Sequence, residues 1–104
     1  MGYDKRTLSG KRLPEFDSWM SSLDDSMTRV RLARRLDKVQ RGLLGDVASV
    51  GHGVSEMREF FGPGWRMYYT ERDGNLIVML GGGDKSSQQR DIARAIALAK
   101  TISE

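Results

Sequence analysis

Apolar and polar positions change period several times along the chain, and each change marks an element. Phe16, Trp19, Met20 and Leu23 follow an i, i+3, i+4, i+7 spacing, which predicts an amphipathic helix opening at Pro14. Asp24-Asp25-Ser26 ends it and supplies short polar side chains to cap a second helix running to about Arg41. Val30, Leu32, Ala33, Leu36 and Val39 give that helix a broad apolar stripe, and Gly42 suits its C-terminal cap. The pair forms a helical hairpin whose inner face needs a sheet to cover. Residues 46–50 then read as a short strand, and Gly51-His52-Gly53 as a turn or bulge.

Three antiparallel strands are predicted next, over residues 54–61, 65–72 and 76–80. Gly62-Pro63-Gly64 provides the first turn, with Pro63 pre-setting φ and Gly64 allowing a positive φ. Asp73-Gly74 is a hairpin signal between two apolar stretches. Residues 76–80 are apolar on both faces, as in a strand covered from both sides. Residues 81–85 read as a glycine loop, Ser86 and Gln89 resemble a capping box, and Ile92, Ala95, Ile96 and Ala99 give a last helix a stripe of small apolar residues. Residues 3–8 suit either an edge strand or a disordered start. The expected class is α+β: a small twisted antiparallel sheet with two N-terminal helices packed on it and one C-terminal helix.

Composition narrows the chemistry. A chain of 104 residues suits one domain with one modest core. It has no cysteine, so disulfides and thiolate metal sites are excluded and a reducing cytoplasm fits. With a single His, a structural zinc site is not expected, and no cofactor motif is present. Residues 1–13 carry charges without the apolar run of an export signal. No apolar stretch approaches the ~20 residues of a membrane-spanning helix. The net charge of +3 argues little by itself. Its distribution argues more, because Arg29, Arg31, Arg34, Arg35, Lys38 and Arg41 share a stretch with one acid, Asp37. Such clustering suits either a polyanion partner or a solvated helix face.

Side chains alternate across a strand, so Glu56 and Arg58 share a face, as do Arg66 and Tyr68. If the two faces coincide, a carboxylate, two guanidiniums and a phenol meet beside Lys85. That set could cleave RNA without a metal, the substrate's 2′-hydroxyl being the nucleophile. Glu56 could take its proton, Arg58 and Arg66 could stabilise the pentacoordinate phosphate, and Tyr68 or Lys85 could protonate the leaving oxygen. The same pattern also fits ordinary cross-strand ion pairs on a solvated sheet. Gly81-Gly82-Gly83-Asp84-Lys85-Ser86 only superficially suggests a nucleotide-binding loop, since Asp84 stands where glycine is required before the lysine. His52, between two glycines, reads as a solvated turn residue.

The runs Val54-Ser55-Glu56-Met57-Arg58, Gly62-Pro63-Gly64-Trp65-Arg66-Met67-Tyr68-Tyr69 and Leu80-Gly81-Gly82-Gly83-Asp84-Lys85-Ser86-Ser87-Gln88 resemble the RelE/ParE toxin superfamily. The similarity is to its HigB-like, phage-related addiction module killer branch. That branch has an E-L-R strand, a G-P-G-Y-R-V-Y-Y hairpin and a G-G-D-K-S-x-Q loop. Met57 and Trp65 stand where Leu and Tyr are usual. The resemblance, covering about residues 16–99, implies a RelE-like fold and a type II toxin, most simply a ribosome-dependent, metal-independent mRNA endoribonuclease. It also implies a helix-turn-helix antitoxin as partner in a hetero-oligomer. Arg66 and Lys85 match positions that serve phosphate binding and catalysis, Arg58 matches another basic position, and the Arg29–Arg41 helix would meet ribosomal RNA. Some mRNA-cleaving members place a Lys near the Glu56 position or a His near the end of the last strand, and this chain has neither. The ParE branch shares the fold but poisons DNA gyrase, so fold alone does not fix activity.

Overall fold

A computed structural model of the protein describes residues 8–102. Its order is β1 (Ser9–Arg12), α1 (Pro14–Ser22), α2 (Ser26–Gln40), β2 (Val47–Gly51), β3 (Val54–Arg58), β4 (Trp65–Arg72), β5 (Leu76–Asp84), one 3-10 turn (Lys85–Ser87) and α3 (Gln88–Lys100). The five strands form one sheet in the order β1-β5-β4-β3-β2. β2 to β5 are antiparallel, but β1 lies parallel to β5, so the sheet is mixed rather than wholly antiparallel. Residues 3–7 of the expected edge strand lie outside the described residues. Leu8 precedes β1 and is buried, its N–H donating to the Gln40 carbonyl at 3.0 Å. β1 itself is exposed at every position and pairs through backbone alone, so no apolar alternation announces it.

Both faces of the sheet are covered. On one, Met57, Met67, Tyr69, Ile77 and Met79 pack with Phe16 of α1 and Leu32, Leu36 and Val39 of α2. On the other, Val54, Tyr68, Val78 and Leu80 pack with Ala95 and Ala99 of α3. β5 contributes to both cores, as its two-sided apolar pattern requires. The α2 stripe is narrower than its sequence suggests, because Val30 and Ala33 face solvent. Asp25 caps α2 by accepting from the Met27 N–H at 3.2 Å, and Gly42 takes a φ of 86° just beyond the helix.

β5 does not stop at Leu80. Residues 81–84, expected as a loop, continue the strand opposite β4, from Gly81 against Tyr68 to Asp84 against Trp65. A bulge lies where Met79 and Gly81 pair with the adjacent Tyr69 and Tyr68, leaving Leu80 as the extra residue. Leu80 and Gly81 therefore fall on one face, and the alternation resumes out of phase. Gly82 lies under Trp19 of α1, and Gly83 under Asp91 of α3. A Cβ would collide with the Trp19 ring at the first and with the Asp91 carboxylate at the second. The glycines let both helices approach the strand. The expected capping box is also replaced. Asp84 accepts from the Ser86 N–H at 2.8 Å and from its hydroxyl at 2.5 Å, while Ser86 and Gln89 make no reciprocal pair.

Candidate functional site

The register of β3 and β4 decides the predicted cluster. Glu56 stands directly opposite Tyr68, and Arg58 opposite Arg66, so all four side chains share the face covered by α3. Arg66 in turn pairs with Gly83, at the far end of β5. Gly64, held at a φ of 82° in the hairpin turn, lies between the two remaining cations. A Cβ there would be 3.5 Å from the Lys85 Cβ and 3.7 Å from Nη1 of Arg66. The tight turn thus brings the β3–β4 hairpin beside the start of the 3-10 turn.

Burial divides these five residues. Tyr68 is fully buried, Glu56 is 4% exposed and Arg66 6%, whereas Arg58 is half-buried and Lys85 exposed. Gln88, the first residue of α3, donates its amide to both Glu56 carboxylate oxygens, at 3.0 and 3.3 Å. Arg58 donates to the Asp46 carboxylate from Nη2 at 2.8 Å and Nε at 3.3 Å. That hydrogen bond and charge raise the Arg58 pKa. The Tyr68 hydroxyl has no hydrogen-bond partner among the described residues. Burial, followed by the nearby Glu56 and Asp91 carboxylates, pushes its pKa well above the ordinary phenol value, with Arg66 opposing.

Arg66 is the unusual member. Its Nη1 donates to the carbonyls of Trp65 at 3.0 Å and Glu59 at 3.3 Å, while Nε is buried without a partner. Among the described residues, no carboxylate lies within ion-pair distance of it. Buried guanidiniums are ordinarily paired, because desolvating an unmatched charge costs several kcal/mol. Its Cζ lies 5.8 Å from the Phe60 ring centroid, and an arginine held by carbonyls and a ring, with its charge unmatched, can bind an anion such as a phosphate.

The basic helix is less uniform than its sequence. Arg31, Arg34 and Lys38 are exposed on α2, and Arg41 is exposed just beyond its end. Arg29 turns inward to donate to the Leu23 carbonyl. Arg35, expected on the nucleic-acid face, is instead a structural clamp with a 10% exposed side chain. It donates to the carbonyls of Leu44, Asp46 and Arg58 and pairs with the Glu59 carboxylate. Its planar fork can satisfy several oxygens at a crossing of loops, which explains the burial. α2 also packs on the sheet face opposite Glu56, Arg58, Arg66 and Tyr68, so the two basic groups are separated by the sheet.

Gln88, Asp46 and Phe60 are the partners that residue-by-residue reading did not find. Gln88 closes the Leu80–Gln88 run without a role being read for it, Asp46 is visible only as a polar residue ahead of a strand, and the fold is what turns them toward Glu56 and Arg58. A cavity of about 800 Å³ lies elsewhere, between α1 and α3 over Leu80, Gly81 and Gly82, and none of the five predicted catalytic side chains lines it. His52 sits exposed in the β2–β3 turn with a φ of 55°, as expected of a turn residue. No group of His, Asp or Glu among the described residues could hold a metal ion. No helix among them is long and apolar enough to cross a membrane.

The chain is 38% identical over 96 residues to an uncharacterized protein of Haemophilus influenzae, an alignment spanning 92% of this chain and 97% of that protein. The two belong to one family. No broader family profile matches the sequence. Coverage of 92% of this chain places Arg66 and the strands around it within the shared length.

Proposed function

We propose that this chain is a toxin of the RelE/ParE superfamily with a RelE-like fold, acting in the cytoplasm as a ribosome-dependent, metal-independent mRNA endoribonuclease. The observation that carries the reading is Arg66, a nearly buried guanidinium with an idle Nε and no carboxylate partner among the described residues. It stands opposite Arg58 across β3 and β4, and Gly64 separates it from Lys85. In this reading Arg66, Arg58 and Lys85 stabilise the pentacoordinate phosphate formed by the attacking 2′-hydroxyl. Glu56, oriented by Gln88, is the base. Lys85, the exposed cation of the set, is better placed than the sealed Tyr68 hydroxyl to protonate the leaving oxygen. The partner is a helix-turn-helix antitoxin that covers the basic surface within a hetero-oligomer.

Primer extension on mRNA translated by purified ribosomes tests this directly. Wild-type protein should give discrete, codon-phased cuts. Arg66→Ala should lose cleavage by roughly 100-fold or more, the scale of one phosphate-stabilising donor, while keeping its far-UV circular dichroism. Unchanged cleavage by a folded Arg66→Ala protein removes that residue from the mechanism, and unchanged single-turnover cleavage by Glu56→Gln removes Glu56 as base. Intact mRNA together with a DNA-damage response would move the chain to the ParE-like, gyrase-inhibiting reading. Absence of growth arrest on expression would make it an inactive, antitoxin-binding member.

A further inference from the structure

Resting on the ribonuclease reading, we propose that Phe60 is the stacking platform for one unpaired base of the mRNA whose phosphate is held by Arg66 and Lys85. Phe60 is 72% exposed, more than Met27, Val30 or Leu43, the other large apolar side chains at the surface. Its neighbour Phe61 has the opposite fate, packing against the α1–α2 core with the Arg31 guanidinium 3.7 Å from its ring centroid. The segment alternates, one ring anchoring the hairpin and the other standing in solvent.

The backbone that carries the exposed ring is held in place. The Glu59 N–H donates to the Trp65 carbonyl at 3.0 Å, the Gly64 N–H donates to the Phe61 carbonyl at 3.1 Å, and the Glu59 carboxylate is paired with Arg35. Phe60 is therefore presented from a hairpin pinned on both sides of it. The Arg66 Cζ lies 5.8 Å from its ring centroid, within cation–π reach of about 6 Å. A fixed aromatic face beside an unmatched cation matches the two halves of a nucleotide, since the base stacks where its phosphate is neutralised. Proteins read single strands in this way by splaying bases onto aromatic rings. Stacking accepts all four bases, so Phe60 contributes affinity and placement without choosing the sequence cut.

The test uses ribosomes programmed with an mRNA carrying 2-aminopurine in the A-site codon and a 2′-O-methyl group at the scissile position to block cleavage. Wild-type protein should quench the fluorophore. Phe60→Leu should abolish quenching and weaken apparent affinity by about five-fold or more. Phe60→Trp should restore both, and the unmethylated mRNA should show the same ranking in single-turnover cleavage. Equal quenching and affinity for wild type and Phe60→Leu overturn the stacking role, as does cleavage by wild type with no quenching at any base of the codon. Failure of wild type both to cleave and to quench overturns the ribonuclease reading, and the platform with it.

Discussion

Tyr68 shows what burial does to a candidate acid. Its hydroxyl is sealed and unpartnered among the described residues, and its pKa is raised first by burial and then by Glu56 and Asp91. A raised phenol pKa means that an unfolded chain loses the proton near the ordinary value of 10.0 while the folded one keeps it. The stabilisation is thus complete below about pH 10 and lost as pH rises above it. Tyr69, also raised by burial, adds with the same sign. Alkaline unfolding followed by circular dichroism should begin as pH passes about 10, and Tyr68→Phe should move it upward. At neutral pH Tyr68→Phe should match or exceed the wild-type melting temperature, because it deletes a buried donor that bonds to nothing described. A melting temperature several degrees lower would show that the hydroxyl is bonded. Retained cleavage by the same variant would leave the leaving-group proton to Lys85.

At the scale of elements, β5 carries the architecture through what it lacks. Gly82 admits the Trp19 ring, which also packs against Phe16 and Trp65 at centroid distances of 5.7 and 6.3 Å. Gly82→Ala must therefore push α1 outward, at a cost of about 1–3 kcal/mol. Gly81, where a Cβ would meet nothing within 4 Å, should accept alanine within about 0.5 kcal/mol. Urea unfolding of the two variants tests the contrast, and equal losses would mean that the bulge does not set which glycine faces α1. The elements legible in sequence are those with periodic apolar patterns or strong punctuation. α1, β4 and the Gly51–Gly53, Gly62–Gly64 and Asp73–Gly74 turns belong to this group. That Glu56 shares a face with Arg58, and Arg66 with Tyr68, follows from strand alternation, but their register does not, because the strand expected to reach residue 61 ends at Arg58 and shifts the pairing. Three consecutive glycines look like a loop because they have no side chains to alternate, yet helices on both faces make them strand. β1 escaped for a related reason, since Ser9–Arg12 buries nothing and joins the sheet through its backbone. Arg35 could not be told from Arg34 by composition, because only the crossing of loops beneath α2 supplies its acceptors.

Across the whole molecule, the sheet separates two kinds of positive charge. Arg66 is enclosed on the α3 side, whereas Arg31, Arg34 and Lys38 are exposed on α2 and Arg41 at its C-terminal end, beyond the other face. The first suits a single phosphate held in fixed geometry. The second suits a polyanion bound through its ionic atmosphere, where each neutralised phosphate adds about one to the dependence of log K on log salt. Changing all four of these residues to glutamine should weaken ribosome association steeply at low salt and flatten that dependence by up to about 4. The fold should survive, since none of the four supplies a core side chain. Once enough protein is added to saturate the ribosomes, single-turnover cleavage should be nearly unchanged, because α2 is across the sheet from Arg66. Arg66→Ala should do the reverse, lowering cleavage by roughly 100-fold or more while changing the salt slope by no more than about 1. If the quadruple variant lost cleavage at saturation, α2 would have to contact the reacting strand, and docking and chemistry would share one surface. If its salt slope were unchanged, α2 would be a solvated helix face and ribosome docking would belong to other cations.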